Sequence, residues 1–152
     1  FAAQFSGVEH RIELVRELNG VHYYNDSIAS SPTRTIAGLK CFPEKVILIA
    51  GGYDKHIPFD DLGPAITEHV KRLILTGDTA PKIRSAVEVA PDYGPDAPVI
   101  EEYHDFKDAV LAAHRQAQEG DVVLLSPACA SFDRFKNFME RGDTFNRIVR
   151  EL

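Results

Sequence analysis

Short runs of apolar, largely β-branched residues alternate along this chain with longer stretches whose apolar positions fall three and four apart. The first rhythm marks strands and the second marks helices. His10–Leu18 carries Ile12, Leu14 and Leu18 at even spacing among charged residues, which predicts a strand with those three on one face. Asn19-Gly20 follows, a dipeptide strongly favoured in two-residue hairpin turns, so Val21–Asn25 is expected to return as the antiparallel partner. Lys45–Ala50, Arg72–Leu75, Val99–Glu101 and Asp121–Leu125 predict four further strands. Lys45–Ala50 is apolar without alternation, as in a strand buried on both faces of a parallel sheet.

Helical spacing fills the intervals. Ser31-Pro32 reads as a cap and first turn for a helix over Thr33–Cys41, with Ile36 and Leu39 inward. A second helix is predicted near Leu62–Val70, and a third from a cap at Asp78 or Thr79 to about Val89. Pro91–Pro98 is a turn region. Asp105–Gln118 predicts a fourth helix with Phe106, Val110, Ala113 and Ala117 on one stripe, stopped by Gly120. After Leu125 comes Ser126-Pro127 and a loop of small residues, Ala128–Ser131. Phe132, Phe135, Phe138 and Met139 then fall on one helical face, with Ser131 placed as the N-cap. Asp143 or Thr144 is a candidate cap for a last helix to Leu152. The sum is a three-layer α/β domain of Rossmann-like type, with about six mostly parallel strands and an antiparallel hairpin at its N-terminal end.

Composition narrows the class. The 152 residues suffice for one domain with a sizeable core. A net charge of -6 offers no basic stripe, which argues against nucleic acid or an anionic membrane surface as partner. No apolar run approaches the roughly 20 residues of a membrane-spanning helix. Cys41 and Cys129 make no disulfide framework, and a reducing cytoplasm is the expected setting. The chain opens at Phe1 rather than Met, which leads us to expect a piece of a longer protein.

Ligands of open α/β sheets bind beyond the carboxyl ends of the strands. Three predicted loops leave strands there with unusual chemistry. Asn25–Ser31 offers the Asp26 carboxylate, which can accept from ribose hydroxyls, and three serines; these residues can equally cap the Pro32 helix. Gly51–Phe59 offers two glycines for close backbone approach and the compact cation Lys55, suited to a carboxylate or phosphate or simply solvated on a turn. Ser126–Ser131 combines a helix N-terminus, an anion-binding feature, with the Ser131 hydroxyl and the Phe138 ring; the phenylalanines fit a core equally well. Arg11 is either a phosphate ligand or a surface residue at a strand edge. The histidines show no metal-ligand spacing, and no metal site is expected within the chain. A nucleophilic Cys129 is disfavoured, since SPACAS is not a GxSxG elbow and no histidine is singled out as its base.

His10-Arg11, Tyr24-Asn25-Asp26-Ser27, Gly51-Gly52 with Lys55, and above all LLSPACASFDRFKNFMERGDTF over 124–145 together resemble the C-terminal domain of the Mur ligases, most closely the D-glutamate-adding branch. The resemblance spans essentially the whole chain in order. It implies a three-domain enzyme of peptidoglycan precursor synthesis that joins D-glutamate to UDP-N-acetylmuramoyl-L-alanine. ATP and Mg2+ are required, and an acyl phosphate is the intermediate. The nucleotide-binding P-loop and the metal ligands belong to a central domain that these residues do not include. Carried over by position, Lys55, Ser30, Ser131, the Phe132 backbone and the Phe138 side chain would hold D-glutamate. Arg11 and Asp26 would meet the nucleotide, with His10 beside them. Ile28 stands where many relatives carry Lys, and Ser30 where they carry Thr, keeping a hydroxyl. The alternative is a free-standing carboxylate-binding α/β module.

Overall fold

Asn19 and Gly20 adopt φ values of 54° and 80°, the left-handed pair of a tight hairpin turn. They join β1 (Glu13–Leu18) to β2 (Val21–Asn25) as antiparallel partners. From β2 onward strands and helices alternate: α1 (Pro32–Leu39), β3 (Val46–Ala50), α2 (Leu62–His69), β4 (Val70–Leu75), α3 (Ala80–Glu88), β5 (Val99–Glu102), α4 (Phe106–Gln116), β6 (Val122–Leu125) and α5 (Phe138–Arg150). The computed structural model describes residues 11–131 and 134–152. One six-stranded sheet runs in the order β1-β2-β6-β3-β4-β5, and every pairing except β1 with β2 is parallel. The expected α/β class, strand number and hairpin are all observed.

The last strand, β6, returns to lie between β2 and β3. This places the loops after β2, β3 and β6 side by side at the carboxyl edge. Helices cover both faces. Val46, Leu48 and Ala50 of β3 pack into one core with Leu39 of α1, Leu62 and Ile66 of α2 and Ile83 and Val87 of α3. Ile47 and Ile49 point the other way, against Ala109, Val110 and Ala113 of α4 and Phe145, Ile148 and Val149 of α5. Both faces of β3 are therefore buried, which explains its unbroken apolar run.

Two expectations are corrected. The even-numbered face expected for the first strand does not exist. Ile12 precedes β1 with φ 48°, and the register between Leu14 and Arg16 shifts by a bulge. The bulge moves the following side chains to the opposite face. Leu14 is thus 40% exposed, while Ile12 joins one core, and Val15 and Leu18 pack against the other.

The second correction concerns the end of the chain. The last helix does not open at Ser131; α5 begins at Phe138, capped by Asn137, whose side chain accepts the Glu140 N–H at 2.9 Å. Asp143 and Thr144 lie inside it and cap nothing. Among the described residues Phe135, Phe138 and Met139 do not share one helical face, since α5 begins only at Phe138. Phe135 stacks edge-on against Phe106, while Met139 is 49% exposed. Asn137 competes better because its side chain caps α5 while its backbone stays extended. Other boundaries differ from expectation by one or two residues at fraying ends.

Candidate functional site

Three loops form the carboxyl edge, and their own backbones knit them together. Asp26 N–H donates to Leu125 C=O at 2.7 Å, and Ala128 N–H donates to Ala29 C=O at 3.0 Å, tying the loop after β2 to the loop after β6. Gly51 N–H donates to Pro127 C=O and Tyr53 N–H to Ala130 C=O, both at 2.9 Å, tying in the loop after β3. Gly51 is required there. Its φ is 110°, and an added Cβ would lie 1.9 Å from the Thr76 carbonyl oxygen. Thr79 stands at the N-cap position of α3 but does not cap it with its side chain; its hydroxyl accepts the Gly52 N–H at 3.0 Å and lies 3.2 Å from Cys129 Sγ. Cys129 is buried, as a small core thiol is expected to be.

Asp26 is the chemical centre of the first loop. It is 3% exposed and accepts the Ser126 hydroxyl at 2.8 Å. Burial pushes its carboxyl up to about 6, even though the Ser126 hydroxyl, the Ile12 N–H and the charges of Arg11 and Arg34 favour the ionised form. The left-handed backbone at Ile12, unusual for a β-branched residue, accompanies that N–H contact. Asp26 lines a pocket with Arg11, Ile28, Ala29, Arg34, Gly38 and Cys41. Gly38 of α1 matters here too: a Cβ would come within 2.8 Å of Asp26 Oδ2. The donor and acceptor set suits a nucleoside phosphate, with a carboxylate for hydroxyls and guanidinium groups for phosphate. Among the described residues no group of His, Cys, Asp and Glu is arranged to hold a metal ion.

The other expected residues fall into place unevenly. Arg11 and Asp26 share the pocket. Ser30 is half-buried between pocket-lining Ala29 and Ser31, which accepts the Arg34 N–H at 3.4 Å as the cap of α1. Lys55 is exposed on the second loop, two residues past the Tyr53–Ala130 bridge, and Ser131 lies one residue past it on the other strand. Ser131 is 3% exposed, and its carbonyl accepts the N–H groups of Arg134 and Phe135. Among the described residues the helix after this loop, α5, begins at Phe138. Phe138 is half-buried, and its carbonyl accepts the Ser27 hydroxyl at 2.7 Å. His10 and Phe132 lie outside the described residues.

Sequence reasoning missed Arg141. This residue of α5 is 2% exposed and donates to Ser27 Oγ at 3.0 Å, Ser27 C=O at 2.6 Å and Cys129 C=O at 2.8 Å. One guanidinium thus clamps the first loop to the third. Asn25 adds to the clamp: its amide donates to Gly142 C=O and Asn146 Oδ1, and its oxygen accepts the Ser27 N–H. A signal existed, because Arg141 falls on the inward stripe of Phe145 and Val149 at intervals of four.

The sheet, its two helical layers and this laced edge define an α/β domain of Rossmann-like class. Residues 10–129 match the family model described as "Mur ligase, glutamate ligase domain", and the chain belongs to that family. It is 60% identical over 99% of its length to a UDP-N-acetylmuramoylalanine–D-glutamate ligase of Acetivibrio thermocellus, covering 33% of that protein. The corresponding ligase of Clostridium novyi is 55% identical over 99% of this chain, again 33% of the relative. The chain thus spans about a third of the length of the curated relatives it matches. Among solved structures, the fold is shared with a murein peptide ligase of Psychrobacter arcticus, with TM-score 0.59 at 18% identity over 90% of this chain and 30% of that one. It is also shared with a Mycobacterium tuberculosis folylpolyglutamate synthase, with TM-score 0.60 at 15% identity over 93% and 32%.

Proposed function

We propose that this chain is the single C-terminal, amino-acid-binding domain of an ATP-dependent ligase. The whole enzyme would join D-glutamate to UDP-N-acetylmuramoyl-L-alanine in peptidoglycan precursor synthesis, in the cytoplasm. The observation that carries the reading is the lacing of three strand-end loops into one edge, in a family member with curated relatives that bear that activity in their names. Asp26 would hold ribose hydroxyls, and Arg11, with His10 beside it, would meet phosphate. Lys55, Ser30, Ser131, Phe132 and Phe138 would orient D-glutamate so that its amine faces the activated carboxyl group. ATP supplies the activation of that carboxyl, and Mg2+ would be held by residues outside this chain. The contribution of these residues is positioning and charge complementarity.

The chain holds no GK[ST] loop, so on this reading it forms no amide by itself. Among the described residues no helix is long and apolar enough to cross a membrane.

Steady-state kinetics of the full-length protein test the reading. With UDP-N-acetylmuramoyl-L-alanine and ATP, ADP release should depend on D-glutamate over other amino acids. Lys55→Ala should raise the D-glutamate KM by roughly tenfold or more, the loss of one charge-assisted contact. An unchanged KM removes Lys55 from the site. Release of ADP indifferent to the amino acid would favour a carboxylate-binding module of another kind.

A further inference from the structure

The pocket around Asp26 is lined by a second cation besides Arg11. Arg34 is the third residue of α1, after Pro32 and Thr33. Its backbone N–H is fixed by the Ser31 cap, and its side chain lines the same pocket as Arg11, Asp26 and Ile28. Among the described residues, neither the Arg11 nor the Arg34 guanidinium makes a hydrogen bond or ion pair. The position is also unfavourable for the helix. The first turn of a helix is its positive end, where acidic residues are stabilising and cations are not, and this first turn holds no acidic residue. Two cations therefore face one carboxylate, in a chain whose overall charge is -6. One carboxylate cannot balance two guanidinium groups. Ile28, on the same wall, contributes apolar surface and no charge. A local surplus of positive charge beside a buried acceptor of hydroxyl groups calls for a ligand carrying both anionic oxygens and hydroxyls.

We propose that Arg34 is a second phosphate-binding residue of this pocket, working beside Arg11 on the phosphates of a nucleoside di- or triphosphate whose ribose meets Asp26. The proposal rests on the nucleotide reading given above and assigns a residue to it. Arg34 supplies from α1 the positive charge that Ile28 does not supply from the loop. Its planar fork can take two phosphate oxygens at once, which an ammonium cannot.

The test is calorimetric titration of the full-length protein with ADP and with AMP, for wild type and for Arg34→Gln, Arg34→Lys, Arg11→Gln and Asp26→Asn, with a thermal melt of each. Arg34→Gln should fold normally, since the change removes a cation from a helix N-terminus. Its Kd for ADP should rise about five- to twentyfold, that for AMP should rise less, and Arg34→Lys should fall between. The D-glutamate KM should not move. An ADP Kd within about twofold of wild type, in a folded Arg34→Gln variant whose Arg11→Gln and Asp26→Asn counterparts are weakened, overturns the role of Arg34 and leaves the nucleotide site standing. If none of these variants loses ADP affinity, the nucleotide reading fails with it. A raised D-glutamate KM with unchanged ADP binding would instead move Arg34 to the amino-acid side and refute the proposal.

Discussion

In the proposed site, Asp26 would pair a functional task with a cost to the fold. Its folded carboxyl titrates near 6, against an ordinary value of 3.8. The folded state therefore holds a proton that the unfolded state has already released between about pH 4 and 6. Stability contributed at this site is greatest below about pH 4, falls as pH rises through that window, and is lowest above it. Asp26→Asn keeps an acceptor for the Ser126 hydroxyl and removes the buried charge. At pH 7 to 8 it should stabilise the chain, by about 3 kcal/mol at most from the size of the shift. That corresponds to several degrees in Tm, and the gain should vanish near pH 4. Melts at both pH values decide the matter, and equal gains at pH 4 and pH 8 would contradict the sign. The same variant should bind ADP more weakly, a trade of function against stability that is common at binding sites. Asp26 and Arg11 were both legible as candidates from residue type and from their place at strand ends. Arg34 was not. Its chemistry depends on which wall of which pocket its side chain reaches, and a helical arginine reads as solvated until the fold is known.

At the level of elements, α5 does more than cover the sheet. It supplies Arg141, Gly142 and Asn146, which fasten Asn25 and Ser27 of the first loop, while Arg141 also holds the third. Arg141→Met should therefore cost about 3 kcal/mol or more in urea denaturation, because buried carbonyls lose a charged donor. Arg141→Lys should recover less than half of that, since a single ammonium cannot serve three acceptors spread around a planar fork. A loss below about 1 kcal/mol would show that the clamp is not needed for folding. The motif containing Arg141 is specific in sequence, yet its phenylalanine spacing imitates a helical face that starts before the cap at Asn137. The bulge in β1 misled in a similar way. Alternation was read as continuous through Leu14, whereas one extra residue sends Leu14 and Leu18 to opposite sides of the sheet.

Across the whole molecule, the sheet has a centre and two edges. β6 and β3 are paired on both sides, whereas β1 and β5 close the ends. Amide hydrogen exchange should therefore be slowest in Ile47–Ile49 and Val123–Leu125 and distinctly faster in Val99–Glu102. Equal protection of β5 and β3 would argue against a core centred on the junction of β2, β6 and β3. That junction is also where the loops of the site meet, so the most stable strands carry the least regular segments. A rigid base beneath the loops limits how far their side chains can drift, which suits a domain whose proposed work is to hold substrates in position.

The alternation of strand and helix, the hairpin, the doubly buried third strand and the chemistry at the strand ends follow from sequence alone, because each depends on neighbours a few residues away. Periodicity, turn dipeptides and residue type carry that information. The insertion of β6 between β2 and β3, the burial of Arg141 against Ser27 and Cys129, and the meeting of Arg11, Asp26 and Arg34 in one pocket were decided by tertiary structure. Strand order and side-chain convergence join residues from a single helical turn or two apart to more than a hundred positions apart. No local period encodes such distances; the packing of both faces of one sheet does.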